Sequence, residues 1–131
     1  MRASSRKLAI ALAERLGEVV PPPLTLGAEG GGVSIYADGV LQGGSHAPNL
    51  VEVEDGRALA ERVALAVEGV LDSIQDCVME YLHEEWPADG AGKSAPPGAR
   101  TEGGRAYLWY GASEDDPVIG LPPIEFDELQ L

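Results

Sequence analysis

The most regular chemical pattern in the chain is a series of carboxylates spaced four residues apart. Side chains at positions i and i+4 are neighbours on a helix surface, so the series would form one continuous negative face. Like charges at this spacing destabilise a helix by roughly 0.2–0.5 kcal/mol for each pair, and no lysine or arginine interrupts the series. We therefore predict a binding surface for a basic protein partner or for divalent cations, although solvent and core packing could also offset the repulsion. This acidic stripe consists of Glu68, Asp72, Asp76, Glu80 and Glu84.

A second carboxylate cluster, Glu114, Asp115 and Asp116, lies in a predicted hairpin turn. Hard cations take oxygen ligands, which makes these residues a weak metal candidate. With a histidine brought near by folding, the cluster would suit a metal-dependent or hydrolytic enzyme. It lacks the alternating aspartate spacing of a calcium-binding loop, and a solvated turn is the preferred interpretation.

The remaining reactive residue types do not form a recognisable catalytic set. His46 and His83 have no second ligand at a suitable spacing for a closed metal site. Cys77 falls on the apolar side of a predicted helix, where burial would raise its pKa. Residues 90–94 match only the end of a phosphate-binding loop, because proline occupies position 87, where the motif needs glycine. The sequence therefore predicts no catalytic residue and no cofactor.

Two aromatic residues, Tyr107 and Trp109, alternate with apolar ones in a predicted strand. If they point away from the core, they form an exposed aromatic patch of the kind that marks a protein interface. The alternative is that they pack beneath the glycine- and proline-rich segment that precedes them. Both are candidate partner-binding residues.

The acidic stripe belongs to the strongest helical pattern in the chain, which runs from Asp55, a candidate N-cap, to Trp86. Apolar residues recur on its opposite side at helical spacing, and Pro87 is expected to end it. Residues 88–104 are so rich in glycine, proline, serine and alanine that we predict a mobile loop. The apolar side comprises Leu59, Val63, Val67, Val70, Leu71, Ile74, Cys77, Val78, Tyr81 and Leu82.

The N-terminal part of the chain predicts a helix followed by a β-hairpin. A serine at position 4 or 5 is a candidate N-cap, and leucines then recur at helical spacing until Gly17 and the proline run 21–23 end the helix. Residues 33–37 alternate between apolar and polar, and Asp38-Gly39 is a typical hairpin turn. A third strand, at a sheet edge, is expected around residues 50–53.

The C-terminal part predicts a second hairpin, in which residues 106–110 pair with 118–121. Pro122 and Pro123 should end the returning strand or confine it to a sheet edge, because proline lacks the amide donor. Residues 1–131 are expected to form a single domain of the α+β class. We expect an antiparallel sheet of about four or five strands, with the N-terminal helix and one long central helix on one face, in the order α-β-β-(β)-α-β-β.

The net charge of −13 limits the partner classes. All of the excess lies in residues 51–131, which carry 18 acidic and five basic side chains. Such a field repels the phosphates of nucleic acids and of anionic membranes, so we expect neither as a partner. A basic protein is the complementary partner, and solubility alone is the simpler explanation. A single cysteine excludes an intramolecular disulfide and favours a reducing compartment, so we expect a cytoplasmic protein.

Four sequence segments resemble a group of small acidic actinobacterial proteins of unknown function. They are VLDSIQD (70–76), EWP (85–87), LWYG (108–111) and PVIGLPPI (117–124), and the resemblance spans roughly residues 33–124. It implies no activity, because that group has no assigned catalytic residues. The order of elements and the acidity are also similar to type III secretion chaperone-like folds, which are small partner-binding domains and often dimers, although a clear final helix is missing.

Together these observations favour a non-enzymatic protein-interaction module, such as a chaperone, an adaptor or a neutralising partner of a basic protein. The acidic stripe or the strand with Tyr107 and Trp109 would supply its surface, and a homodimer through the sheet or the long helix fits the same picture. One alternative is a metal-dependent or hydrolytic enzyme that uses Asp115 and Asp116 with a histidine. The other is a structural subunit of a larger assembly, which would expose an apolar patch of roughly several hundred Å².

Overall fold

The computed structural model describes residues 3–46 and 56–130 of the chain. Within these residues it contains two α-helices, six β-strands and one 3-10 helix, which confirms the predicted α+β class. In chain order they are α1 (Ser5–Gly17), β1 (Leu24–Glu29), β2 (Gly32–Ala37), β3 (Val40–His46), α2 (Gly56–Leu82), β4 (Pro97–Glu102), β5 (Arg105–Tyr110), β6 (Ile119–Glu125) and the 3-10 helix η1 (Phe126–Leu129).

The strands form two three-stranded antiparallel sheets, so the predicted single sheet of four or five strands is wrong. The first sheet has the order β1-β2-β3 and the second has the order β4-β5-β6, so each is a simple meander. The 27-residue helix α2 separates the two meanders along the chain. Short turns complete each sheet locally, because strands that are neighbours in sequence pair most readily.

The hairpin predicted around Asp38 is confirmed. Asp38 and Gly39 both have positive φ angles, 50° and 82°, and the flanking residues Ala37 and Val40 pair across the turn. Two successive left-handed residues are what a type I′ turn requires, and glycine and aspartate adopt this conformation at low cost. The turn therefore sets the register next to it, where Ala37 and Tyr36 pair with Val40 and Leu41, and the register shifts by one residue between Tyr36 and Ile35.

Strand β1 was not among the predicted strands, and the strand expected at residues 50–53 lies outside the described residues. Leu24 is buried, and Leu26 and Ala28 pack against the core, so β1 does follow a period of two. Glycine at position 27 weakens that pattern in the sequence. The strand forms because α1 packs against it.

Helix α1 begins at Ser5, directly after Ser4, which is one of the two predicted N-cap residues. The Ser4 hydroxyl accepts a hydrogen bond from the Lys7 amide at 3.2 Å, which satisfies one of the amides that a helix start leaves unpaired. Leu8, Leu12 and Leu16 are fully buried in the core. The predicted helix and its apolar side are therefore confirmed.

Helix α2 is the longest element, and it ends at Leu82, before the predicted end at Trp86. His83 has a positive φ of 56°, and its amide donates to the Met79 carbonyl at 2.8 Å, so a left-handed residue closes the helix before Pro87 is reached. Most of the apolar side of α2 is buried, against β3 of the first sheet and β4 and β5 of the second. No helix within the described residues is long and apolar enough to cross a membrane.

Strand β4 lies inside the segment 88–104, so the predicted absence of regular structure there is wrong. It pairs with β5 along its whole length. The Gln75 side-chain amide donates to the carbonyl of the buried Ala95 at 2.5 Å, and the Thr101 hydroxyl donates to the Ala60 carbonyl at 3.2 Å. These two bonds anchor the segment to α2, and small side chains permit the close approach. The mobility of the segment stays a prediction.

The last strand runs through Pro122 and Pro123 and forms an edge of the second sheet, where a strand that contains prolines is expected. The pairing shifts between Ala106 and Leu108 of β5, so the two prolines lie opposite a single residue. The Arg15 side chain of α1 donates to both proline carbonyls, at 2.9 and 2.8 Å. Arginine thus supplies donors for carbonyls at an irregular part of the sheet.

One hydrophobic core includes buried side chains from both helices, both sheets and η1. Among the described residues, its largest fully buried side chain is Tyr110 of β5, whose hydroxyl donates to the Leu71 carbonyl at 2.7 Å. Trp86 packs edge-on against the Tyr110 ring, with 5.4 Å between the ring centroids. These contacts fix one side of α2 against the second sheet and leave the other side in solvent.

Candidate functional site

The carboxylates of the acidic stripe lie on the solvent-facing side of α2. Four of the five are exposed at i to i+4 spacing within the helix. Glu84 is also exposed, but it follows the left-handed His83 beyond the helix end. The predicted series therefore stops at Glu80, because α2 is shorter than the sequence predicted. The four residues within the helix, here called the acidic row, are Glu68, Asp72, Asp76 and Glu80.

None of the ion pairs between described residues neutralises the acidic row. Arginines on other surfaces neutralise other carboxylates, and each reaches its partner at 3.2 Å or less. Within the described part of the chain, the row keeps its negative charge, and core packing on the other side of α2 has to offset the repulsion. The pairs are Arg15 with Glu128, Arg100 with Glu102 and Glu114, and Arg105 with Glu125.

The acidic row also acts on two groups inside the molecule. The pKa of the Tyr110 hydroxyl is raised, chiefly by burial and further by the charges of Asp72 and Asp76. Burial likewise raises the pKa of the half-buried Cys77 thiol, with smaller contributions from Glu80 and Asp76. Both groups hold their protons at neutral pH, so the Cys77 thiol is a poor nucleophile.

A shallow groove borders the acidic row where α2 approaches the start of β4. It has a volume of about 380 Å³ and is lined by Leu65, Glu68, Gly69, Asp72 and Pro97. Leu65 is 70% exposed, more than any other large hydrophobic side chain in the described residues. The helix therefore presents an apolar surface next to two carboxylates of the row.

Sequence reasoning missed Leu65 and Gly69 as features of this surface. Leu65 lies off the apolar side that helical spacing defines, and Gly69 is a poor helix former in the middle of the strongest helical pattern. An exposed leucine places apolar surface in water, and a glycine in the middle of a helix lowers the stability of that helix. Neither residue contributes to the core. Both signals could have been found in the sequence.

A second cleft, of about 390 Å³, lies between β3 and the C-terminal end of α2. Its lining includes Cys77, Glu80 and His83. Gly43 of β3 lies so close to Cys77 that a methyl group at position 43 would stand 2.9 Å from the Cys77 sulfur. Among residues 3–46 and 56–130, no three His, Cys, Asp or Glu side chains are grouped so that they could hold a metal ion. His83 thus lies near a thiol and a carboxylate without completing a metal site.

Arg100 binds one of the three carboxylates in the predicted turn, that of Glu114. Both oxygens of Glu114 accept hydrogen bonds from Arg100 of β4, the shortest at 2.8 Å, and this contact lowers the pKa of the Glu114 carboxyl. Asp115 and Asp116 are exposed to solvent. One of the three proposed metal ligands is thus already bound within the protein, which weakens the metal interpretation.

The segment that matched part of a phosphate-binding loop forms a turn closed by Asp89. The Asp89 carboxylate accepts hydrogen bonds from the amides of Ala91 and Lys93, at 2.8 and 3.0 Å, and these bonds lower its pKa. A phosphate-binding loop would direct its amides towards an anionic ligand. Two amides of this turn are already occupied by a side chain of the protein.

Tyr107 and Trp109 lie on the outer face of the second sheet, opposite the core side chains of β5, and both are half-buried. The Arg100 guanidinium lies over the Tyr107 ring, 4.5 Å from its centroid. The Trp109 indole covers Gly98 of the neighbouring strand. The sheet itself therefore occupies much of the aromatic surface that was predicted to bind a partner.

Replacing Gly98 with alanine is expected to lower the free energy of unfolding by about 2 kcal/mol, because a methyl group there would overlap the Trp109 indole. Urea unfolding followed by tryptophan fluorescence measures the loss. Gly120→Ala is the matched control: Gly120 pairs with Trp109 on the other side, but its methyl group would meet only Pro117, at 3.5 Å. An equal loss in both variants would contradict the role of Gly98.

Comparison with known proteins gives no family for this chain. The likeness to type III secretion chaperone-like folds rests on element order and acidity without a shared sequence motif, so the function has to be argued from the surface of this protein. No protein-family model matches the chain, and neither a curated protein nor a solved structure shows significant similarity to it.

Proposed function

We propose that this protein is a non-enzymatic interaction module that binds a basic protein segment through the acidic row of α2. The proposal is carried by four exposed carboxylates without a counterion among the described residues, on a helix whose other side is fixed in the core. A rigid helix holds these charges at constant spacing, so the protein loses little freedom on binding. The net charge of −13 adds long-range attraction for a basic partner.

The acidic row favours a partner other than a second copy of this chain. Two copies that met through α2 would bring like charges together, which disfavours the complex. A homodimer, if one forms, would therefore use another surface, such as the outer face of the second sheet with Tyr107 and Trp109. A chaperone, an adaptor or a neutralising subunit of a basic protein fits the same surface.

The alternative functions have less support. A metal-dependent or hydrolytic enzyme would use the turn carboxylates, but Glu114 is bound to Arg100. A structural subunit would need a large contiguous apolar patch. The exposed large hydrophobic side chains in the described residues are five in number and belong to α1, α2, β3 and the turn before β6. The interaction proposal therefore accounts for more of the surface.

The test compares protein capture from a lysate of the source cells by the wild type and by a triple variant, Asp72→Asn/Asp76→Asn/Glu80→Gln. We expect the wild type to retain a basic protein at low salt and to release it at high salt, because salt screens exposed charges. The triple variant should bind the purified partner about tenfold more weakly, since several modest charge contacts are lost together.

A second triple variant, Glu18→Gln/Asp115→Asn/Asp116→Asn, is the matched control. It removes the same types and number of exposed carboxylates from other surfaces, so it should bind as the wild type does. Equal losses in both variants would mean that net charge alone drives binding. A wild type that retains no basic protein at either salt concentration would contradict the proposed function. Thermal unfolding checks that both variants are folded.

A further inference from the structure

The groove between α2 and β4 adds an apolar contact surface to the acidic row. Leu65 is 70% exposed, and Gly69, one turn further along the helix, has no neighbouring atom within 4 Å of the place where a methyl group would stand. Pro97, at the start of β4, forms the far wall. This groove has a volume of about 380 Å³, is open to solvent and can admit an aliphatic side chain. It is called the notch below.

The structure gives no internal reason for glycine at position 69. Glycine in the middle of a helix is less favourable than alanine. The backbone does not require it, because Gly69 is not among the residues with positive φ. Packing does not require it either, since the space above it is empty of described protein atoms. An external occupant of that space is therefore the explanation to test.

The charges around the notch define the chemistry of its occupant. Glu68 and Asp72 line the notch, and Asp76 continues the acidic row one turn further. An apolar side chain in the notch would be flanked by positions where lysine or arginine is attracted and where an acidic residue is repelled. The same repulsion disfavours a second copy of this chain, whose own row would face these carboxylates.

We propose that the notch of Leu65, Gly69 and Pro97 receives a leucine-sized side chain from a lysine- or arginine-rich protein segment, while Glu68 and Asp72 bind the flanking basic residues. This inference rests on the proposed function and deepens it. The acidic row attracts basic segments in general, and the notch selects among them. Partial burial of a leucine in a shallow groove should favour it over alanine about fivefold.

Two labelled synthetic peptides test the inference. In one, a leucine stands between two pairs of lysines, and in the other, alanine replaces that leucine. Fluorescence anisotropy at low and high salt measures the affinity of each peptide for the full-length protein. We expect both peptides to bind in a salt-sensitive manner, and the leucine peptide to bind about fivefold more tightly.

Two variants change the shape of the notch without a change in charge. Gly69→Ala raises its floor and should raise the Tm by about 3 °C, because alanine is the better helix former. Leu65→Ala removes its exposed wall. For each variant, we expect the leucine peptide and the alanine peptide to bind with nearly equal affinity. Gly17→Ala, at another open helical glycine, is the matched control and should keep the preference for leucine.

The outcomes separate the notch from the acidic row. Equal binding of the two peptides to the wild type would overturn the notch and leave the charge-based function standing. A leucine preference that survives both Gly69→Ala and Leu65→Ala would do the same. If neither peptide shows salt-sensitive binding to the wild type, the proposed function itself fails, and the notch fails with it.

Discussion

Replacing Arg15 with methionine is expected to lower the free energy of unfolding by about 3 kcal/mol. The guanidinium donates to the carbonyls of Ala11 at 3.1 Å, Pro122 at 2.9 Å and Pro123 at 2.8 Å. It also reaches the Glu128 carboxylate at 3.2 Å, and only 13% of the arginine side chain is exposed. Methionine would keep the packing of the stem and leave the proline carbonyls without this donor. Urea unfolding measures the loss.

Arg105→Met is the matched control for this prediction. Arg105 also pairs with a glutamate, Glu125, at 2.6 Å, but both side chains are about half exposed, at 53% and 46%. Exposed pairs contribute little to stability, so this variant should unfold at nearly the same urea concentration as the wild type. Similar losses in the two variants would contradict the argument that the carbonyl contacts of Arg15 hold α1 to the second sheet.

The elements that could be predicted from the sequence have local signals. Ser4 caps α1, and Asp38-Gly39 forms a turn that these residue types favour in any protein. Strands β1 and β4 were missed because glycine, alanine and proline occupy several of their positions and give a weak strand pattern. They form where a helix packs against them, and the local pattern does not contain that contact. The error in the number of sheets follows from these two strands.

The features of the candidate site also differ in whether a local sequence pattern defines them. The acidic row could be predicted because spacing defines it, and its exposure follows from the burial of the opposite side of α2. The place where the series stops could not, since it depends on the left-handed conformation of His83. The notch could be predicted only in part, because Leu65 and Gly69 lie on α2 and Pro97 is brought beside them by the packing of β4.

Replacing Tyr110 with alanine is expected to lower the free energy of unfolding by about 4 kcal/mol, because it removes the largest fully buried side chain of the described core. Tyr110→Phe should cost only about 1 kcal/mol, since it keeps the ring against Trp86 and removes only the hydrogen bond to the Leu71 carbonyl. Urea unfolding at neutral pH measures both losses. Losses of similar size would mean that the hydroxyl, and not the ring, stabilises this part of the core.

The wild type and Tyr110→Phe should also respond differently to alkaline pH. Burial, with a smaller effect of Asp72 and Asp76, raises the pKa of the Tyr110 hydroxyl above its ordinary value of 10.0. Above that pH the unfolded chain loses the phenolic proton while the native state keeps it, so the contribution of Tyr110 to wild-type stability falls by about 1.4 kcal/mol for each pH unit. Phenylalanine has no proton to lose, so Tyr110→Phe should become the more stable protein at about pH 11. A stability difference that stays constant from neutral to alkaline pH would contradict the burial of this hydroxyl.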